Sequence, residues 1–294
     1  TMNPEFMESV WWVFKTLYDK GLIYEGYKSM HLCPRCETTL SNFEVSQNYK
    51  DVKDISVTAK FKLKNPLLRQ GFGGQANSKL DGDVFILAWT TTPWTLPGNV
   101  ALAVGNSIKY SVLSIKDSEG LYIVARERVE SILAGKEYKV LKELTGADLI
   151  GLKYEPLFND FEHKDLPNKE NLYTVVAADF VTTADGTGVV HIAPAFGEDD
   201  LNLGKEKNLS FIQHVTMSGR LTDDMGEFSG LEVKPRADVK ATDKKIVDFL
   251  QNKNLVFATE EYLHSYPHCW RCETPLINYS TSSWFVRVTD IKDD

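Results

Sequence analysis

The sequence predicts a mixed α/β, β-rich fold, a barrel with helices packed around it, on three observations. Short apolar segments outnumber helical patterns, Gly, Pro, Asn or Asp lies near most of their ends, and the few helical patterns are scattered among them. With 294 residues, 43% hydrophobic and 25% charged, the chain has ordinary globular composition and ample length to bury a core.

The first element reads as a helix. Asn3 is placed to cap it, Pro4 suits its first turn, Phe6, Val10, Phe14 and Leu17 fall on one face, and Gly21 is the natural stop. From Val57 the pattern becomes strict alternation: Val57, Ala59, Phe61 and Leu63 face one way, Thr58, Lys60 and Lys62 the other. That is the signature of a half-buried strand. Residues 69–83, rich in Gly, Asn and Ser, read as an exposed loop or partly disordered insertion. Strands are expected over 84–89, 100–104, 110–115, 121–124, 172–178 and 188–192, and helices around 126–133, 199–208 and 239–252.

A net charge of −8 argues against a broad electrostatic grip on nucleic acid, so any RNA contact is expected to be local, such as a single-stranded end entering a pocket. No run of 18 apolar residues and no basic-then-apolar start occurs, which predicts neither a membrane span nor secretion; a cytoplasmic protein is expected.

The four cysteines form two C-x-x-C pairs, Cys33/Cys36 and Cys269/Cys272. Their contexts repeat: residues 33–40 read C-P-R-C-E-T-T-L and residues 269–276 read C-W-R-C-E-T-P-L. A duplicated knuckle near both ends makes sense if the ends meet, so that four thiolates converge on one tetrahedral ion, with zinc the default. Independent thiols, or one redox-active pair, are the alternatives. Four protein ligands leave no open position, so such a zinc is expected to be structural.

Two further segments carry chemistry. Residues 89–99 (W-T-T-T-P-W-T-L-P-G-N) set four threonine hydroxyls beside two tryptophans and two prolines. Hydroxyls donate and accept hydrogen bonds, and prolines limit loop motion, so the loop either presents polar groups to a small ligand or satisfies its own backbone. Residues 185–200 run from a turn through a strand bearing His191 to three successive carboxylates, Glu198, Asp199 and Asp200. A carboxylate there can receive an ammonium group; the same residues sit where a helix begins and can serve its free N–H groups and its dipole. His191 alone is more often a satisfied strand histidine than a base.

These segments resemble the editing domain of class I isoleucyl-tRNA synthetases, whose loop reads close to W-T-T-T-P-W-T-L-P-x-N and whose second segment reads G-T-G-x-V-H-x-A-P-x-x-G-x-D-D, matched by Gly186 through Asp200. Residues 7–27 and 265–289 resemble the same family, so the resemblance covers nearly the whole chain. It implies an editing-domain β-barrel with surrounding helices on a zinc-knuckle stem. The implied division is an N-terminal stem at 1–50, the editing domain at 51–261 and a C-terminal stem at 262–294. Neither the HIGH-type nor the KMSKS-type signature of adenylate formation is found. The chain is therefore expected to be a fragment without aminoacylation, with ATP a ligand only of the full-length parent.

The implied reaction is hydrolysis of Val-tRNA(Ile), the partners being the misacylated 3′ end of tRNA(Ile) and the rest of the synthetase. A hydrophobic pocket separates isoleucine from valine only modestly, a limit for which isoleucyl enzymes are themselves the familiar example rather than a result obtained from this sequence. Carried over from the resemblance, Asp200 binds the substrate's α-ammonium, Thr90, Thr91 and Thr92 line the side-chain and ester region, and His191 helps to exclude isoleucine. Asn99 fixes loop or substrate, and Trp94 and Thr95 are weaker binding candidates. A non-catalytic module that binds the tRNA acceptor end, and a valyl-type editor acting on Thr-tRNA(Val), are the competing readings.

Overall fold

The alternation at Val57 belongs to a longer strand than the pattern suggests, and both of its faces are covered. A computed structural model describes residues 1–64 and 82–292; the loop expected at 69–83 therefore lies almost entirely outside the described residues. Helix α1 (Pro4–Asp19) leads into strands β1 (Ile23–Cys33) and β2 (Thr38–Leu40), the single-turn helix α2 (Asn42–Val45) and the long strand β3 (Tyr49–Lys62). Next come β4 (Val84–Thr90), a 3-10 turn at Pro93–Gly98, β5 (Ala101–Val104), β6 (Lys109–Ile115) and β7 (Leu121–Ala125). Helix α3 (Val129–Ile132), β8 (Tyr138–Thr145), α4 (Gly146–Leu149), β9 (Thr174–Ala177) and β10 (Val189–Ile192) follow. Helices α5 (Glu198–Glu206) and α6 (Ala241–Asn252) precede β11 (Val256–Pro267) and β12 (Ile277–Val286).

Local chemistry starts and stops these elements as expected. Asn3 accepts the Glu5 N–H at 2.9 Å with Pro4 behind it, and Gly21 takes a left-handed φ of 70° just after α1. A Ser41–Glu44 capping box starts α2, and a Thr145–Asp148 box starts α4. The helix expected at 126–133 is a 3-10 turn followed by the four residues of α3.

The main sheet runs β8-β6-β7-β4-β10-β5-β9, with β3 on the other edge of β4 and β11 outside β3. Isolated bridges at Leu63–Tyr154 and Lys153–Thr174 tie β3 to β9 through residues 153–154, so the sheet curls back on itself. Val57, Ala59 and Phe61 are fully buried inside this curl. On the other face Thr58 and Lys60 are also buried, and the Lys60 ammonium lies 5.5 Å from the centre of the Phe85 ring and donates to Asn254 Oδ1 at 2.9 Å.

The two ends of the chain meet in a second, three-stranded sheet, β12-β1-β2, in which β1 and β12 pair antiparallel from Ile23–Val286 to Leu32–Ile277. The α1 face expected to pack is only partly covered: Phe6 and Val10 are exposed, Phe14 and Leu17 are half-buried, no residue of the helix is fully buried, and the Phe14 ring meets Trp11 and Trp284 edge-on. Among the described residues no helix is long and apolar enough to cross a membrane.

Candidate functional site

Strand β4 pairs with β7 at its start but with β10 only at Trp89–Val190 near its end. Where these partners change, a crevice of about 260 Å³ opens between residues 89–91 and residues 180–191. Thr90 and Thr91 line it from one segment, and Phe180, Thr182, Asp185 and His191 from the other.

Behind this wall runs a continuous chain of hydrogen bonds whose polarity can be deduced. One end of the Asn99 amide lies 2.9 Å from the Ala101 carbonyl, an acceptor, so that end must be the NH2 group. The same group is 2.8 Å from His191 Nδ1, which must therefore be the unprotonated nitrogen. The ring proton then sits on Nε2, 3.2 Å from Thr95 Oγ1, and Thr95 donates its own proton to the Thr92 carbonyl at 2.8 Å. Thr92 Oγ1 lies 3.3 Å from Thr95 Oγ1 and 3.2 Å from Thr90 Oγ1, and Thr90 Oγ1 accepts the Thr92 N–H. At the far end the Tyr154 hydroxyl donates to Asn99 Oδ1 at 2.6 Å.

Burial, with His214 close by, pushes the His191 pKa down to about 3, only partly offset by Thr95. The imidazole is neutral and both nitrogens are committed, so it is a fixed wall rather than a proton carrier. Trp94, Thr95 and Asn99 are buried beneath the crevice and are not part of its surface. Of the expected residues, Thr90, Thr92, Thr95, His191 and Asn99 are joined in one network, with Thr91 beside them at the rim.

Asp200 stands apart from that network and does not line the crevice. It lies in the first turn of α5, and its Oδ2 accepts the Ala193 N–H, two residues beyond His191, at 2.9 Å. Part of the side chain remains open, yet the dense surroundings push its pKa up to about 7; the Ala193 hydrogen bond opposes that rise and Asp199 adds to it. Gly197 permits this approach, since a Cβ there would meet Asp200 Cγ at 3.0 Å. Glu198 and Asp199 are exposed on the same turn, and no side chain caps the helix at Gly197.

The cysteine cluster lies at the end of the β1–β12 sheet. The four Sγ atoms fall within 4.8 Å of one another, with Cys272 3.5 Å from Cys33 and 3.6 Å from Cys36. A tetrahedron of metal–sulfur bonds of about 2.3 Å has edges of about 3.8 Å, so the four cysteines fit a single ion. The sequence repeat is also a structural one: Glu37 and Glu273, each just after the second cysteine of its pair, both take left-handed φ values, 50° and 62°. Such turns let the chain reverse around the thiolates, and the Cys36 N–H points to Cys33 Sγ at 3.4 Å.

Sequence reasoning missed Tyr154, which orients Asn99 from 55 residues away, and Phe180 and Thr182, which lie just before the segment that begins at Asp185.

Comparison with known proteins gives three findings. The whole chain, residues 1–294, matches the family described as tRNA synthetases class I (I, L, M and V). It is 43% identical to the isoleucine–tRNA ligase of Treponema denticola and 44% to that of Clostridium novyi, with all of the chain covered in both. It spans only 27% and 25% of the length of those relatives. In fold it is similar to GlLeuRS-CP1 (TM-score 0.50, 15% identity, 71% of this chain and 100% of that one). It is likewise similar to the editing domain of P. knowlesi cytosolic leucyl-tRNA synthetase (TM-score 0.50, 13% identity, 72% and 97%).

Proposed function

This chain belongs to the class I tRNA synthetases, and from that premise we propose that it is the editing part of an isoleucine–tRNA ligase, hydrolysing valine from mischarged tRNA(Ile). The observation that carries this reading is the meeting of the threonine loop and the His191 strand across one crevice, over a network with every nitrogen of His191 and Asn99 committed. A pre-satisfied wall of this kind does not reorganise when a ligand enters, which is what steric rejection of one extra methylene requires.

In this reading the aminoacylated 3′ end enters the crevice. Thr90 and Thr91 line the side-chain and ester region, Thr92 supports them through its hydroxyl, and His191 supplies the rigid surface that excludes isoleucine. Asp200 holds the loop at Ala193 with one oxygen and offers the other to the α-ammonium. Water is the nucleophile, because the aminoacyl ester is already activated and neither imidazole nitrogen is free to act as a base; orientation of water and ester supplies the rate. Residues 51–261 form the editing domain, and residues 1–50 and 262–294 the stems that return to the synthetase body, where ATP is used. The decisive experiment is deacylation of Val-, Ile- and Thr-charged tRNA by the chain. Preferential loss of valine is expected; preferential loss of threonine would make it a valyl-type editor, and no hydrolysis by folded protein would leave only acceptor-end binding.

Zinc held by Cys33, Cys36, Cys269 and Cys272 is the ion we assign to the cluster, a structural tie between the two stems. Protein purified without chelator is expected to carry about one zinc per chain. Its removal should raise hydrogen exchange at 33–40 and 268–276 far more than in the barrel. Metal-free protein with the same protection would remove the assignment.

A further inference from the structure

The peptide at Trp94 is gripped on both sides by side chains from distant parts of the chain. Trp94 is the second residue of the 3-10 turn that carries the threonine loop into β5. Pro93 before it has no N–H, and the Thr95 N–H bonds back to the Thr92 carbonyl, so the Trp94 N–H is a helix-start donor that needs an outside partner. Asp243 of α6 supplies it: Oδ1 accepts the Trp94 N–H at 3.1 Å while Oδ2 faces the Lys234 ammonium at 3.3 Å. On the other side the Trp94 carbonyl accepts the His214 Nε2–H at 2.9 Å. His214 fits there because residue 98 is glycine; a Cβ would come within 2.7 Å of the ring.

The Lys234–Asp243 pair is costly by construction. Its side chains are only 1% and 2% exposed, and a buried ion pair stabilises a fold less well than apolar residues of the same volume. A hydrophobic pair at the same positions would fill the space, but it would leave the Trp94 N–H without an acceptor. The distinctive result of having charges here is a fixed backbone at Trp94, one residue from Thr95 and two from Thr92, the two hydroxyls that join His191 to the loop.

We propose that Asp243, paired with Lys234, is a positioning residue for the editing reaction: it clamps the Trp94 peptide and thereby sets the threonine hydroxyls against His191. This rests on the editing function proposed above. The grip lies outside the crevice, so its loss changes how the loop is held and not what the loop is made of.

Two double variants of the full chain test the clamp. Lys234→Met with Asp243→Leu removes both charges and the acceptor; Lys234→Met with Asp243→Asn removes the charges but keeps an oxygen for the Trp94 N–H. Both avoid stranding a lone buried charge. At matched folded fraction, the leucine double is expected to lose about 30- to 100-fold in kcat for Val-tRNA(Ile) with little change in KM, the scale of a misplacement near 1 Å. The asparagine double is expected to keep most of kcat. Amide exchange at Trp94 and Thr95, read in the same proteins, should quicken in the leucine double alone. A folded leucine double with wild-type kcat, or equal losses in the two doubles, would overturn the clamp. If the wild type itself fails to deacylate, the editing reading falls, and the exchange rates decide the clamp alone: unchanged protection at Trp94 in the leucine double overturns it.

Discussion

Replacing Asp200 by alanine is expected to cost about 30-fold to several-thousand-fold in kcat/KM for Val-tRNA(Ile), the range for removing one partner of a charged hydrogen bond. Alanine removes two things at once, the charge and the acceptor that holds the Ala193 N–H. Asparagine separates them, because its amide oxygen can still accept that N–H. An Asp200→Asn chain that melts like the wild type but does not deacylate would identify the carboxylate as the ammonium anchor. Wild-type activity in the asparagine variant, with loss of stability in the alanine variant, would leave Asp200 only as a tie on the loop after β10.

The pH dependence follows from the same residue. Burial raises the Asp200 pKa to about 7, so in the free chain the anchoring carboxylate is lost as pH falls below that value, while His191, at about 3, stays neutral throughout. The kcat/KM for valine release should fall about tenfold per pH unit on the acid side. It should fall again once the substrate's own ammonium loses its proton, at about pH 8 if it titrates like an ordinary α-amino group. The effect on stability has the opposite sense to that of a salt-bridged aspartate. Between the unfolded value near 4 and about 7 the folded chain binds the proton more tightly than the unfolded one, so this group's contribution is greatest in acid and declines as pH rises through that window. The asparagine variant should lose this group's contribution to the pH dependence of stability.

Asn99→Ala is expected to be the most destabilising single change at the site. It strands three buried groups together: His191 Nδ1, the Tyr154 hydroxyl and the Ala101 carbonyl. Each unsatisfied group costs about 1–3 kcal/mol, giving on the order of 3–6 kcal/mol after partial relaxation, a large share of a domain's stability. Urea unfolding of this variant measures it directly. A loss below about 1 kcal/mol would mean that water replaces the amide and that the network does not hold the loop.

The parts of this molecule that are legible in its sequence are those whose physics is local. The helix start at Asn3-Pro4 and the strand at Val57 depend on residues a few positions apart. The two cysteine knuckles stand out because the pattern C-x-R-C-E-T-x-L is written twice, and the glutamate is left-handed in both. Strands β11 and β12 are hidden for the converse reason. Most of their side chains remain partly or wholly exposed, so they carry no apolar alternation, and they are strands because β3 and β1 offer them edges.

By itself, then, the sequence determined the chemistry of each segment: a hydroxyl-rich loop stiffened by proline, a histidine on a strand, carboxylates at a helix start and four thiols in matched turns. Only the tertiary structure decided which of these groups share a site. It buried Trp94, Thr95 and Asn99 behind the crevice, left Asp200 to one side, and brought Tyr154, His214 and Asp243 to hold the loop from distances of 55 to 149 residues along the chain. The physical reason is that most buried polar groups pair, and partners such as Tyr154, His214 and Asp243 are found in space, across chain separations no local pattern records.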